Sequence, residues 1–333
     1  MLHALSGRFA ACLMLATISL AGACVTPSAL AVSEPASPDT VRTVADARAR
    51  IAIATAYNPE FMVLLPSLEE AKEHQIQGVS YWTGELAGQP VVLFKTGVSI
   101  VNATMNTQRL VDEFNITHIV VSGVAGSLDP DLSIGDVIVP ERWAKYDEAT
   151  YLRETEPGVY KAPFPGVVPM APTFGFMGTR GVRIATADDP APAPRLWFSA
   201  DPGLLKIATA ASSRTELTRC DEESQCLPSE PVIRIGGAGL SGSVFMDNRT
   251  YRDYLHDTFD AQVVEMETAA IGMVAYANGI PFIAFRSVSD LAGGGEASQN
   301  EIRVFEHLAA QNSAALVSAF LRQLASPESS GTD

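Results

Sequence analysis

One stretch constrains the fold more than any other. His118-Ile-Val-Val-Ser122 is an unbroken apolar run of strand length, and it ends in the small-residue turn Gly123-Val-Ala-Gly126. A strand without polar alternation is covered on both faces, as in a mostly parallel sheet. Similar short runs recur at Ile51 to Ala56, Asp136 to Val139, Pro231 to Ile235, Ala261 to Val264 and Phe282 to Val288. Ser99 to Phe114, Thr268 to Ala277 and Glu301 to Leu324 read as helices, and Glu60 to Lys72 has helical apolar spacing through Phe61, Leu64, Leu65 and Leu68. Tyr81 to Leu86 and Pro90 to Lys95 read as strands joined by the Ala87-Gly88-Gln89 turn. Strands alternating with helices predict an α/β chain with a mostly parallel sheet covered on both faces, in one large domain or two ordinary ones.

The ends depart from that pattern. Met1 to Arg8 carries one cation and no acid, and Phe9 to Ala23 is an apolar run too short to span a bilayer comfortably, the layout of an export leader. Two endings stay open. Ala29-Leu30-Ala31 is a cleavage pattern that would release a soluble chain starting at Val32. Leu20-Ala21-Gly22-Ala23-Cys24 is a relaxed lipobox that would lipidate Cys24 and tether the chain to a membrane. Residues 1–24 are therefore expected to be a signal peptide or lipoprotein leader, 25–43 a Pro/Ser/Ala-rich linker, 44–325 the folded domain and 326–333 a disordered tail. The expected location is the periplasm or cell envelope. Residues 146–201, rich in Pro, Gly and aromatics without periodicity, read as an insertion that serves as a lid or a subunit-contact arm.

Beyond the leader the cysteines are Cys220 and Cys226, and in an exported chain so close a pair is most simply a local disulfide. His3, His74, His118, His256 and His307 are scattered, so no metal site is expected. No dinucleotide or nucleoside-triphosphate motif is present, so no cofactor is expected either. The formal net charge of −15 excludes a broad basic face, and with it a nucleic-acid polymer as partner.

Three segments have residues suited to chemistry. The Gly123 to Gly126 turn lets backbone approach a ligand closely, though a packing turn has the same composition. In Val263-Val-Glu-Met-Glu-Thr-Ala-Ala270, Glu265 and Glu267 flank a methionine where a strand passes into a helix. Acids there also suit a helix dipole. In Phe282 to Asp290, Arg286 sits inside an apolar strand and needs a partner, while Ser289-Asp290 closes the strand where ligands collect in such sheets. A structural Arg286–Asp290 pair remains an alternative.

Together these segments resemble the nucleoside phosphorylase/nucleosidase superfamily, closest to the 5′-methylthioadenosine/S-adenosylhomocysteine nucleosidases. The carriers are Gly123-Val-Ala-Gly126 with Gly135-Asp136-Val137, Val264-Glu-Met-Glu-Thr268 and Arg286-Ser-Val-Ser-Asp290. The resemblance implies a nucleoside phosphorylase-like fold, a single-domain three-layer α/β/α arrangement around a mostly parallel central mixed sheet, and cleavage of the ribosyl C1′–N9 bond of an adenine-type nucleoside. It implies that Asp290 is the general acid toward N7, with Ser289 and Arg286 beside it. Glu267 would bind the ribose hydroxyls, Met266 would lie beneath the sugar, Phe245 would stack on the base and Met246 would read its edge. Val124, Ala125 and Gly126 would line the site, with Val124 where many nucleosidases have Ser. Glu60 would activate water, although Tyr57, Asn58 and Pro59 stand where acids are common. A carboxylate there repels phosphate, so hydrolysis is favoured over phosphorolysis. A phosphate-dependent phosphorylase and a non-catalytic nucleoside-binding protein remain as alternatives. The family also implies a homo-oligomer, at least a dimer.

Overall fold

The computed structural model describes residues 45–325 apart from position 223. The expected leader, linker and tail, Cys24 included, lie outside the described residues. The chain opens with β1 (Asp46–Thr55), α1 (Asn58–Met62), a 3-10 turn (Leu65–Ser67), β2 (Glu69–Ile76), β3 (Val79–Leu86) and β4 (Gln89–Lys95). Next come α2 (Ile100–Glu113), β5 (Phe114–Ser127), β6 (Val137–Val139) and β7 (Arg142–Lys145). Short strands follow: β8 (Ala149–Tyr151), β9 (Arg153–Glu156), β10 (Val159–Lys161), β11 (Met177–Thr179) and β12 (Trp197–Ser199). The remainder is α3 (Pro202–Ser212), β13 (Ile233–Ile235), β14 (Ala238–Ser241), α4 (Arg249–Phe259), β15 (Ala261–Glu265), α5 (Thr268–Ala277), β16 (Phe282–Asp290) and α6 (Ile302–Leu324).

β1 lies between β4 and β5 and is parallel to both. β5 is the hub because Gly123 to Gly126, expected as a turn, continues the strand instead, its backbone groups paired with neighbouring strands. Its first half pairs with β1, residues from Ile119 onward pair in parallel with β16, and Gly126 and Ser127 pair antiparallel with β15. β2, β3 and β4 form an antiparallel meander whose last hairpin turns on Ala87 and Gly88, both left-handed. Side-chain alternation along β1 splits the core. Ala52 and Ala54 pack with α2 and α5, whereas Ile51 and Ile53 pack with α1, α3 and α6. Helices therefore cover both faces of a mixed sheet.

The expected helix over Glu60 to Lys72 is replaced by α1, the 3-10 turn and β2. Pro66 explains the break, since a proline inside a helix lacks an N–H donor and clashes with the preceding turn. β2 then runs as a largely exposed, charged edge strand, a composition that discourages pairing with other chains. Cys220 and Cys226 are disulfide-bonded, and Gln225 between them donates to the Val304 carbonyl at 2.7 Å, tying the small loop to α6.

The insertion is built of paired strands. β8 pairs with β11, β9 pairs with β10, and β12 joins the main sheet against β7. Phe174 packs on Tyr251 and Tyr254 of α4, with ring centroids 4.8 and 5.0 Å apart.

Candidate active site

The carboxyl ends of β1, β5, β15 and β16 converge on a cleft of about 230 Å³. This is where open α/β sheets collect ligands. Val98, Val244, Phe245, Met246, Met266 and Ile302 make much of its wall apolar, and Val124, Ala125 and Gly126 of β5 form its floor. Phe245 stands half exposed at the lip, and Met246 is buried beside it.

One group of charges is built around Arg286. Glu60 of α1 accepts the Ala56 amide at 2.5 Å and the Val124 amide at 2.9 Å. Arg286, in the middle of β16, donates to Glu60 Oε1 at 3.5 Å, bonds to Glu265 and lies 3.9 Å from Glu267 Oε2. It also donates to Thr268 Oγ1 from Nε and Nη2, at 3.1 and 2.8 Å. Glu265 is held further by the Ser241 hydroxyl and by the Thr268 amide and hydroxyl. Glu267 Oε1 accepts the Ser99 amide at the start of α2, at 2.6 Å. All four ionisable side chains are buried.

Three carboxyl groups around one guanidinium cannot all be ionised without excess buried charge. Burial, reinforced by Glu265, pushes Glu267 up to about 8. Burial also raises Glu60, against the pull of Arg286 and the two backbone donors. Burial alone would lower Arg286, but the carboxylates outweigh it and hold the guanidinium above its ordinary value. A raised carboxyl is the better proton acceptor once ionised. Gly123 makes the arrangement sterically feasible, because a Cβ there would overlap Arg286 Nη1 and Glu60 Oε1.

Asp290 is held differently. Its Oδ1 accepts the Ala292 amide at 3.0 Å and the Asn300 side-chain amide at 3.1 Å. Its Oδ2 lies 2.8 Å from Ser289 Oγ, which is also 3.3 Å from the Ala125 carbonyl. A hydroxyl has one hydrogen to give. Ser289 can therefore donate to an ionised Asp290, or turn to Ala125 and accept a proton carried on Oδ2. Burial raises the Asp290 pKa, opposed by the Ala292, Asn300 and Ser289 donors. Gly126 leaves room for it, since a Cβ there would come 2.9 Å from Asp290 Oδ1.

The structure brings Glu60, Glu267, Met266, Phe245, Met246, Ser289, Asp290 and the Val124 to Gly126 backbone to one cleft. Arg286 is the correction. The sequence places it beside Asp290 as a substrate contact, or pairs the two directly. It instead lies beneath the glutamates and does not line the cleft. Residues four apart on a regular strand share a face, but β16 shifts register between Val288 and Asp290. That irregularity re-aims Asp290 away from the cluster. The sequence reads residues 146–201 as a lid or a subunit-contact arm, and the lid reading is corrected. None of them lines the cleft, and they pack against α4 instead. Their first residues act from behind the wall. Asp147 Oδ2 accepts the Ser243 amide at 2.7 Å, and the Tyr146 ring fills the space above Gly242.

Sequence reasoning missed the anchoring roles of Glu265, Ser241 and Thr268, and missed Asn300 altogether. An acid closing an apolar strand was a usable signal for Glu265. Asn300 sits in a loop with no pattern. Tyr57, whose hydroxyl donates to Glu306 of α6 at 2.8 Å, was read only as a departure from an acidic flank.

Comparison with known proteins bears on this arrangement. The 5′-methylthioadenosine/S-adenosylhomocysteine nucleosidase of Tolumonas auensis is 28% identical over 276 residues, 83% of this chain and 100% of that protein. Bark storage protein A of Populus deltoides is 28% identical over 263 residues, 76% of this chain and 80% of that protein. The crystal structure of the methylthioadenosine/S-adenosylhomocysteine nucleosidase from Colwellia psychrerythraea in complex with adenine matches with a TM-score of 0.61 at 25% identity, covering 83% of this chain and 95% of that one. Residues 50–322 match the sequence profile of the Phosphorylase superfamily, from the first buried strand to the last turns of α6. The mixed sheet, the cleft at its strand ends and this end-to-end match agree, and the chain belongs to the phosphorylase superfamily.

Proposed function

We propose that this protein is an exported nucleosidase that hydrolyses the C1′–N9 bond of an adenine-type nucleoside, of the methylthioadenosine or S-adenosylhomocysteine kind. One observation carries the reading: two buried carboxyl groups, Glu60 and Asp290, are held by separate networks around a single largely apolar cleft. Asp290 gives its proton to N7 as the C1′–N9 bond breaks and its electron pair passes to the purine. Glu60 takes a proton from water as the water oxygen bonds to C1′. Glu267 accepts hydrogen bonds from the ribose hydroxyls, and the apolar wall of Val98, Met266 and Ile302 suits an uncharged 5′ thioether.

Water is favoured over phosphate as the attacking group. Among the described residues lining the cleft none is Lys, Arg or His, and Arg286 is already committed to carboxylates. A phosphate would meet Glu60 and Glu267 with no cation free to hold it. The likeness to a bark storage protein supports a second reading, nucleoside binding without turnover. Base release from methylthioadenosine, S-adenosylhomocysteine, adenosine and inosine, run with and without phosphate, separates these readings. Phosphate-independent release of adenine is expected. Strict phosphate dependence selects phosphorolysis, and tight binding with no release selects storage.

Export rests on the apolar leader, in keeping with the Cys220–Cys226 disulfide. Mass spectrometry of the mature amino terminus distinguishes a chain starting at Val32 from one lipidated at Cys24. A homodimer is part of the same reading, supported by exposed Val98, Val101 and Met105 at and beyond the start of α2. Light scattering of the purified protein checks it.

A further inference from the structure

We propose that Asn300 is a positioning residue for Asp290: its side-chain amide, clamped between the carboxylates of Asp290 and Asp247, keeps Oδ1 of Asp290 free of the proton and confines that proton to Oδ2. The proposal rests on the hydrolytic reading above, in which Asp290 is the acid. Asn300 Nδ2 lies 3.1 Å from Asp290 Oδ1 and 3.1 Å from Asp247 Oδ1. Flanking acceptors dictate the amide's orientation, because only the NH2 end has two hydrogens to give. The carbonyl end accepts the Ile302 amide at 3.0 Å, in the first turn of α6. The side chain is therefore committed on both of its polar atoms.

Oδ1 of Asp290 also accepts the Ala292 amide. Two donors that cannot reverse occupy this oxygen, so protonating it displaces one hydrogen bond and weakens the other. Oδ2 faces Ser289, the one partner able to donate or accept. A proton held on Oδ2 has a single direction of departure. The same amide couples α6 to the acid, since Ile302, two residues on, forms part of the cleft wall. The other charged groups around Asp290 are Glu301 at the start of α6, Asp247 before α4, Arg252 of α4 against Gly294, and Glu60, Glu265 and Glu267 elsewhere in the cleft. Changing Asn300 removes none of these charges, and of them only Asp247 loses a hydrogen bond with it.

The test is kcat and KM for methylthioadenosine as a function of pH, with thermal unfolding alongside. Asn300→Ala should lower kcat roughly ten- to a hundredfold, the loss of a hydrogen bond to a charged group. KM should change by less than about threefold. The basic limb of the profile should move to higher pH, because a donor favouring the ionised carboxylate is gone. Asn300→Gln, which keeps the amide, should recover part of both. An unchanged kcat and limb overturn the proposal, and so does a fall in activity that leaves the limb in place. If Asn300→Ala does not fold, Asn300→Ser keeps an acceptor for Ile302 and carries the same comparison. If the unsubstituted protein releases no base, the hydrolytic reading fails. The pH dependence of adenine binding then decides: the same upward shift in the variant supports the role of Asn300, and no shift overturns it.

Discussion

The two acid systems of the cleft reach the same result by opposite means. Around Glu60, three carboxyl groups balance against Arg286, and the group stands or falls by charge. Around Asp290 the direct partners are neutral: two amides and a hydroxyl. Both systems are buried and both have a carboxyl pushed above its ordinary range. The difference lies in what holds them. The first is part of the core and its loss endangers the fold. The second is a local arrangement at a strand end, where a change should touch chemistry first.

The largest expected effect comes from Arg286→Met. It leaves three buried carboxyl groups without their counter-charge, and breaking such a group by removing one partner costs about 3–5 kcal/mol. Urea unfolding at neutral pH should show that loss, with partial recovery at lower pH as the carboxyls take up protons. Asp290→Asn should do the reverse, lowering kcat by roughly 10²–10⁴, the usual range for a lost general acid, with little change in the unfolding midpoint. Equal destabilisation by the two variants would erase the distinction between the two regions.

Glu267 offers a finer test. Its pKa is raised to about 8, above that of an unfolded glutamate. The folded state therefore binds the proton more tightly than the unfolded chain does. The resulting stability is fully present below the unfolded pKa and is lost as pH rises through about 8. Tm should decline across that window, and Glu267→Gln should flatten the decline. The smallest effect belongs to Tyr57→Phe, which deletes the hydrogen bond to Glu306 at 2.8 Å. A cost of about 1 kcal/mol is expected. The basic limb assigned to Asp290 should not move, because Tyr57 lies at the other system.

Much of the fold was legible because the central strands are covered on both faces and so carry uninterrupted apolar runs. His118 to Ser122 marked β5, and Phe282 to Val288 marked β16. Thr268 to Ala277 is α5 with the expected bounds. Short elements whose burial comes from distant partners were not legible. β7 is Arg-Trp-Ala-Lys, buried only at Trp143 and Ala144, and β9 of the insertion is exposed along its whole length. The Glu60 to Lys72 segment misled because Leu64, Leu65 and Leu68 mimic a helical stripe that Pro66 interrupts.

The layering of strands and helices, the chemical identity of the cleft residues and their order along the chain are written in the amino-acid order. Those follow from local patterns of polarity and from residue types. Which residues become partners depends on long-range packing. The regular part of β16 carries Arg286 to the glutamates, the register shift after Val288 turns Asp290 toward Asn300, and Glu265 becomes an anchor only because Ser241 and Arg286 meet it from other strands. Such contacts join residues far apart in the chain, and their geometry depends on strand pairing that no local pattern encodes.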